Sequence, residues 1–160
     1  MSPPTPAQSA VESTIRRRKC AYIHWVDLGP YTEVPSCLMP DIQVTFLNRD
    51  GTVMGQDTDF LWQWNTAESY AAFLVKGMTG REGIHMADYG TFTHVSDDEV
   101  KVIFGVTWDL GPPAIPNGEK SWCGGGHYHE TWKRVPKGED GEEWFMSELK
   151  MQVAYQRFFD

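Results

Sequence analysis

The sequence predicts an α+β fold in which a curved, mostly antiparallel sheet wraps around N-terminal helices. Helical periodicity is confined to residues 9–27 and 66–78, whereas strand patterns dominate from residue 84 onward. The last third, from Gly124 to Phe158, contains two long aromatic-rich runs separated by a turn with proline and glycine, which is typical of a long hairpin. Bulky residues occupy both faces of that hairpin, which suits a wall covered by helices on one side.

Composition limits the classes of function. The 160 residues suffice for one domain, and the net charge of −8 argues against a nucleic-acid groove or an anionic membrane surface as partner. No apolar run approaches the roughly 20 residues that a bilayer requires, and the polar N-terminus lacks a secretory pattern. Three cysteines without a C-x-x-C pair indicate neither a disulfide framework nor a zinc knuckle. We therefore expect a soluble, cytoplasmic protein.

The first half of the chain supplies the helices. Residues 1–8 resemble a disordered tail, and residues 9–160 form the single domain. Ser9 and Glu12 fit a capping box at the start of a helix over 9–27, which Gly29-Pro30 ends. The basic run at 16–19 is interpreted as a solvated face. A turn or short helix over 30–40, a strand over 42–47 and a helix over 66–78 follow.

The second half supplies the remaining strands. One strand is predicted over 84–94 and another over 99–110, joined by a turn at 96–98, before the terminal hairpin.

Asp27 and His85 are the first candidate pair for chemistry. A carboxylate that orients an imidazole and stabilises its protonated form makes a useful proton-transfer unit. Spacing alone favours the plainer alternative, an exposed helix-end aspartate and a core histidine.

The hairpin offers two further candidates, one on each face. His127 and His129 point the same way along a strand and could hold a metal, but Glu130 points the other way and no histidine follows. We therefore expect no metal and an outer, partly exposed position for both histidines. Tyr128 and Glu130 share the opposite face and would contact substrate if that face lines a cavity.

Three stretches, in order, are similar to those of fungal scytalone dehydratases and, more broadly, of the SnoaL-like branch of the nuclear-transport-factor-2-like superfamily. They read LWQWNTAESYAAFL, GIHMADYGTFTHVSDDEVKVIFGV and HETWKR followed by GEEWFMSELK. The resemblance covers roughly residues 20–155. It implies a cone-shaped fold with an internal apolar pocket, and enzymes that need no cofactor: dehydratases, cyclases and isomerases.

Two catalytic positions of that family match. His85 stands where the family has its general base, and Asp27 matches the aspartate in the same pocket. Val26 and Phe46 stand where the dehydratases have tyrosines, and Leu110 replaces a second pocket histidine.

The hairpin asparagine of the family aligns with Tyr128, which favours the Tyr128 face as the concave one. Tyr22 or Tyr128 is our candidate to polarise a substrate carbonyl. The candidate pocket lining is Trp25, Phe46, Trp62, Trp64, Trp108, Leu110, Glu130 and Trp132.

These residues predict a cofactor-independent lyase or isomerase of secondary metabolism, acting on a polyketide or terpenoid-like substrate by acid–base chemistry next to a carbonyl. A cyclase that works mainly by shaping its substrate is the second interpretation. A non-catalytic binding or adaptor module is the third, and a metalloenzyme is the last. We expect a homo-oligomer, either dimer or trimer.

Overall fold

The computed structural model describes residues 3–56, 58, 60–112, 121–135 and 143–159. Two α-helices and a short 3-10 helix accompany seven strands, so the predicted α+β class is confirmed. In chain order the elements are α1 (Pro6–Leu28), the 3-10 helix (Tyr31–Cys37), β1 (Leu38–Leu47), β2 (Gln63–Trp64), α2 (Ala67–Met78), β3 (Glu82–Ala87), β4 (Thr91–Ser96), β5 (Glu99–Gly111), β6 (Ser121–Arg134) and β7 (Trp144–Phe159).

The first helix begins at Pro6, three residues before the predicted start. Its cap is Thr5, whose side-chain oxygen accepts the Gln8 backbone N–H at 3.3 Å, while the Gln8 side chain accepts the Thr5 N–H at 2.9 Å. This capping box and a proline at the first helical position outweigh the Ser9 pattern, so residues 6–8 form the first turn rather than a tail. The helix ends as predicted at Gly29, where φ is +71°.

The short helix after α1 and the helix α2, capped by Thr66, agree with the predictions. The single strand predicted over 84–94 is wrong, because the chain turns between β3 and β4. At this turn one carboxylate oxygen of Asp88 accepts the backbone N–H groups of Gly90 and Gly105, at 2.9 and 3.0 Å. Gly90 has a φ of +73°, a conformation that glycine adopts without steric cost. Strand alternation through this stretch conceals that turn.

The strands form one curved sheet in the order β2-β1-β7-β6-β5-β3, and β4 also pairs with β5. All described pairings are antiparallel except that of β1 with β7. Within the residues that the structure covers, the strands at the two ends of this order, β2 and β3, do not pair with each other, so the cone is open along one side. The turn predicted between the hairpin strands, 136–142, lies outside the described residues.

The concave face of the sheet packs on the helices. Along β5 the even-numbered residues are buried and the odd-numbered ones are mostly exposed. In β6 the same alternation buries Tyr128, Glu130 and Trp132 and exposes His127 and His129. The predicted orientation of the Tyr128 face is therefore confirmed.

The prediction that the basic run at 16–19 is a solvated face is wrong for two of its four residues. Arg18 is 6% exposed and Lys19 only 1%. Arg18 donates a hydrogen bond to the Ser36 carbonyl at 2.6 Å, and its guanidinium lies over Phe145. The four residues point around the helix, so two of them face the core, where their long side chains pack against apolar and aromatic groups.

All three cysteines are free thiols. Cys37 is buried, and desolvation raises the pKa of its thiol to about 12, so it behaves as a packing residue. No helix in the described ranges is both long enough and apolar enough to span a membrane.

A substitution at Gly124 in β6 can show how tightly the concave face is packed. A β-carbon there would overlap the ring of Trp108 and lie 2.8 Å from the Tyr155 carbonyl oxygen. We expect Gly124→Ala to lower the free energy of unfolding by about 1–3 kcal/mol, because the ring has to shift. The matched control is Gly77→Ala in α2, where the added carbon meets Phe73 at an ordinary 3.9 Å. Urea denaturation of both variants checks this; equal stabilities would contradict it.

Candidate active site

Asp27 and His85 meet at the end of the first helix. One carboxylate oxygen of Asp27 lies 2.5 Å from His85 Nδ1, and the other accepts the His85 backbone N–H at 2.8 Å. The two side chains are 7% and 12% exposed. Because both carboxylate oxygens hold the same residue, the imidazole is fixed in position and in tautomer, with Nδ1 as the hydrogen-bonded nitrogen. The other ring nitrogen, Nε2, has no hydrogen-bond partner in the described part of the chain.

The fold brings these two residues together across 58 positions of sequence. Asp27 occupies the last turn of α1, which lies against the concave face. His85 is the direct strand partner of Trp108, and Trp108 in turn pairs with Gly124. His85 therefore shares the concave side with Trp108, and the missing side chain at Gly124 lets the indole lie flat along the sheet. The Leu110 side chain likewise occupies the space next to Gly83, where a β-carbon would overlap it.

A second polar centre, the Lys19–Glu130 pair, lies deeper in the core. Lys19 Nζ is 2.5 Å from Glu130 Oε1, and their side chains are 2% and 0% exposed. The ammonium also lies 3.8 Å from the ring centroid of Tyr128 and 4.4 Å from that of Tyr22. Glu130 accepts the indole N–H of Trp132 at 2.8 Å. The proposed substrate contacts Glu130 and Trp132 are thus engaged within the core, and Trp132 has no exposed surface.

The candidate tyrosines differ in what holds them. The hydroxyl groups of Tyr22 and Tyr70 lie 2.5 Å apart. The Tyr128 hydroxyl has no hydrogen-bond partner among the described residues. Burial raises the pKa of all three phenols above the ordinary value, so they remain protonated and can donate. Burial is the main cause of the raised pKa of Tyr128, and the charges of Tyr70, Glu130 and, least, Asp27 add to it.

The aromatic residues predicted as pocket lining separate into groups. Phe46, Trp62 and Trp64 form a cluster whose ring centroids lie 5.6 to 6.3 Å apart. Tyr70 and Phe73 extend this cluster along α2. Such contacts describe aromatic core packing at one side of the cone. Trp108 and Leu110 instead share the concave face with His85, while Trp25 packs at the edge of the core.

His127 and His129 lie on the convex face with their ring centroids 6.4 Å apart. Partial burial, His127 and Lys150 lower the pKa of His129. Within the ranges that the structure covers, no cluster of three or more potential metal ligands occurs. A cleft of about 470 Å³ lies near His127, with a lining that includes Met86, Gly105 and Tyr155. This cleft is on the opposite side of the sheet from His85.

Sequence reasoning missed Lys19 and Tyr70. Lys19 falls on the apolar stripe of α1 with Tyr22 and Val26, and a charge at such a position is the available signal of a buried partner. The hydroxyl contact of Tyr70 with Tyr22 spans 48 positions, and no local pattern reports it.

The probable cyclase FGR4 of Gibberella zeae is 31% identical to this chain over 141 residues, covering 88% of this chain and 89% of the cyclase. No protein-family model matches.

Solved structures with the same fold share much less sequence. A provisionally assigned scytalone dehydratase of Novosphingobium aromaticivorans superposes with a TM-score of 0.74 at 16% identity, covering 96% of this chain and 91% of that one. A type 2 hexachlorocyclohexane dehydrochlorinase superposes with a TM-score of 0.73 at 18% identity, covering 96% and 92%. At these identities the structural matches establish the fold alone. The sequence match shows that the chain belongs to the family of the probable cyclase FGR4, and the structural matches show that it has the scytalone dehydratase-like fold of the nuclear-transport-factor-2-like proteins.

Proposed function

We propose that the protein is a cofactor-independent lyase or isomerase that transfers a proton next to a substrate carbonyl. The two-point contact between Asp27 and His85 carries this proposal. A buried carboxylate that fixes Nδ1 leaves Nε2 to exchange protons with a substrate on the concave side. The related proteins named as a cyclase, a dehydratase and a dehydrochlorinase support a lyase or cyclase in general terms.

A dehydration on this site balances in two steps. His85 Nε2 takes a proton from the carbon next to the carbonyl, and the electron pair of the broken C–H bond moves onto the carbonyl oxygen as an enolate. When the enolate reforms the carbonyl, the hydroxyl group on the next carbon leaves and takes the proton from the imidazolium, so one water is released. Asp27 stabilises the imidazolium between the two steps.

Tyr128 is our candidate for the donor that stabilises the enolate oxygen. Its hydroxyl is uncommitted in the described residues, whereas that of Tyr22 is bound to Tyr70. We expect Tyr128→Phe to lower kcat by about tenfold, since hydrogen bonds to charged groups contribute about 1.5–3 kcal/mol. Tyr22→Phe is the control and should change stability more than kcat. Steady-state kinetics with both variants check this, and an unchanged kcat in Tyr128→Phe would remove the phenol from the mechanism.

The proposed substrate is a flat polyketide or terpenoid-like ketone, because the side chains next to His85 on the concave face, Trp108 and Leu110, are apolar, although both are buried in this structure. The test is a mass-resolved assay of the purified protein, without added cofactor, on scytalone and related hydroxylated ketones. Loss of one water identifies a dehydratase. A product of unchanged mass identifies an isomerase or cyclase. Absence of turnover on every ketone would contradict the proposed substrate class.

A cyclase that acts by holding its substrate in shape is the second candidate, and the relationship to the FGR4 cyclase favours it. For this candidate, His85→Ala should change the rate only a few-fold, whereas the acid–base candidate depends on His85. Assembly as a dimer or trimer remains a prediction, which sedimentation velocity can check.

A further inference from the structure

Arg81 lies at the edge of the concave face, immediately before β3. Its guanidinium carbon is 4.7 Å from the ring centroid of Trp122, the second residue of β6. Arg81 is half-buried, and no carboxylate of the described ranges pairs with it. The chain has 22 acidic and 14 basic residues, yet the Arg81 guanidinium stacks on an indole and pairs with no carboxylate of the described ranges. Its N–H donors are therefore available to a ligand.

The strand register places this stack beside the Asp27–His85 pair. Trp122 pairs with Leu110 and Leu110 with Gly83, one row along the sheet from the row of His85, Trp108 and Gly124. Continuing the alternation of β3 by one residue puts Arg81 on the same side as His85, with Gly83 between them. Four residues of strand separate their α-carbons by about 13 Å. The intervening residue on that side, Gly83, has no side chain and is covered by Leu110, so a ligand that contacts both Arg81 and His85 lies across Leu110.

We propose that Arg81 and Trp122 form a carboxylate-binding subsite for planar substrates, which rests on the function proposed for His85. A guanidinium offers paired N–H donors that match the two oxygens of a carboxylate, and stacking on the indole fixes the plane of that fork. The substrate class is therefore an aromatic or conjugated ketone that bears a carboxylate at the end remote from the reacting carbon. The negative charge also distinguishes such substrates from neutral analogues of the same shape.

The test uses 2-naphthoate and 2-naphthamide, which differ in charge but hardly in shape, and measures binding by titration calorimetry. We expect Arg81→Met to weaken naphthoate binding by about tenfold or more and naphthamide binding by less than about twofold. Arg81→Lys should fall between, because it keeps the charge and loses the fork. The matched control is Lys76→Met, which removes one exposed cation from the last turn of α2 and leaves Trp122 untouched.

Each outcome decides the proposal. Equal losses for acid and amide would show that Arg81 only covers Trp122. Equal effects of Arg81→Met and Lys76→Met would show that Arg81 acts only by long-range electrostatic attraction. If naphthoate does not bind the unaltered protein, the proposed subsite is wrong. Naphthoate should also protect His85 from carbethoxylation, measured on peptides by mass spectrometry. These measurements need no turnover, so failure of the acid–base chemistry, seen with His85→Ala, is distinguishable from failure of the subsite.

Discussion

Replacing His85 by alanine should lower kcat by about 10² to 10⁴ on whichever ketone the unaltered protein turns over. The expectation follows from geometry: the imidazole is held at Nδ1 by Asp27 and leaves Nε2 without a partner in the described residues. Some stability should also be lost, because the Asp27 carboxylate, 7% exposed, keeps its hydrogen bond from the backbone N–H of residue 85 but loses the imidazole. KM should move less than kcat, since the ring contributes mainly to the transition state.

His94→Ala is the matched control for this experiment. His94 also faces a carboxylate, with its Nε2 3.3 Å from Glu12, but it lies on β4 and contacts the first half of α1. Its loss should leave kcat within about twofold. If His85→Ala retains activity within a few-fold, the acid–base mechanism is wrong and substrate shaping becomes the better account.

Asp27→Asn refines the same test. The amide preserves the shape of the side chain but removes the charge that stabilises the imidazolium, so kcat should fall by about 10² or more. Because the two residues act as one unit, the double variant should be no slower than His85→Ala alone. Additive losses in the double variant would instead indicate two independent roles.

The sequence was sufficient to propose Asp27 and His85 as a candidate pair, and the structure brings the two side chains into contact. Strand alternation placed Tyr128 opposite His127, and burial confirms which of the two faces is concave. The pairing of Asp27 with His85 came from the family resemblance and not from spacing, since 58 positions separate the residues. Contacts at such a distance depend on how the helix lies across the sheet, and local patterns do not report that.

Local competition explains the errors. Two capping patterns overlap near the N-terminus, and the one with proline at the first helical position prevails. The turn at Gly90 depends on the Asp88 side chain, which binds a backbone N–H in the neighbouring strand β5 as well as in the turn. The four basic residues at 16–19 point in different directions around the helix, which indicates a solvated face, but Lys19 also lies by its stem on the apolar stripe of α1 and is buried.

Removing one partner of the buried Lys19–Glu130 pair should destabilise the protein strongly. In Lys19→Met a carboxylate remains in the core with the Trp132 N–H as its one donor among the described residues, and uncompensated buried charges cost about 3–5 kcal/mol. Glu130→Gln should cost a similar amount, since the ammonium would be left between the rings of Tyr22 and Tyr128. Chemical denaturation measures both losses.

The double variant Lys19→Met/Glu130→Gln distinguishes two contributions to the free energy of unfolding: the loss caused by one unpaired buried charge, and the net contribution of the intact ion pair. Glutamine still offers an oxygen to the Trp132 indole, and methionine fills the space of the lysine stem, so most of the loss should be recovered. Lys150→Met is the exposed control: its ammonium contacts Glu148 at 2.6 Å, but both side chains are more than a third exposed, and about 0–1 kcal/mol is expected. The single variants could prove as stable as Lys150→Met, or the double variant could prove no more stable than either single one. Either result would mean that solvent reaches the Lys19–Glu130 pair. Lys19 would then be a candidate for contact with substrate, because a solvent-accessible ammonium has N–H donors that the core does not use.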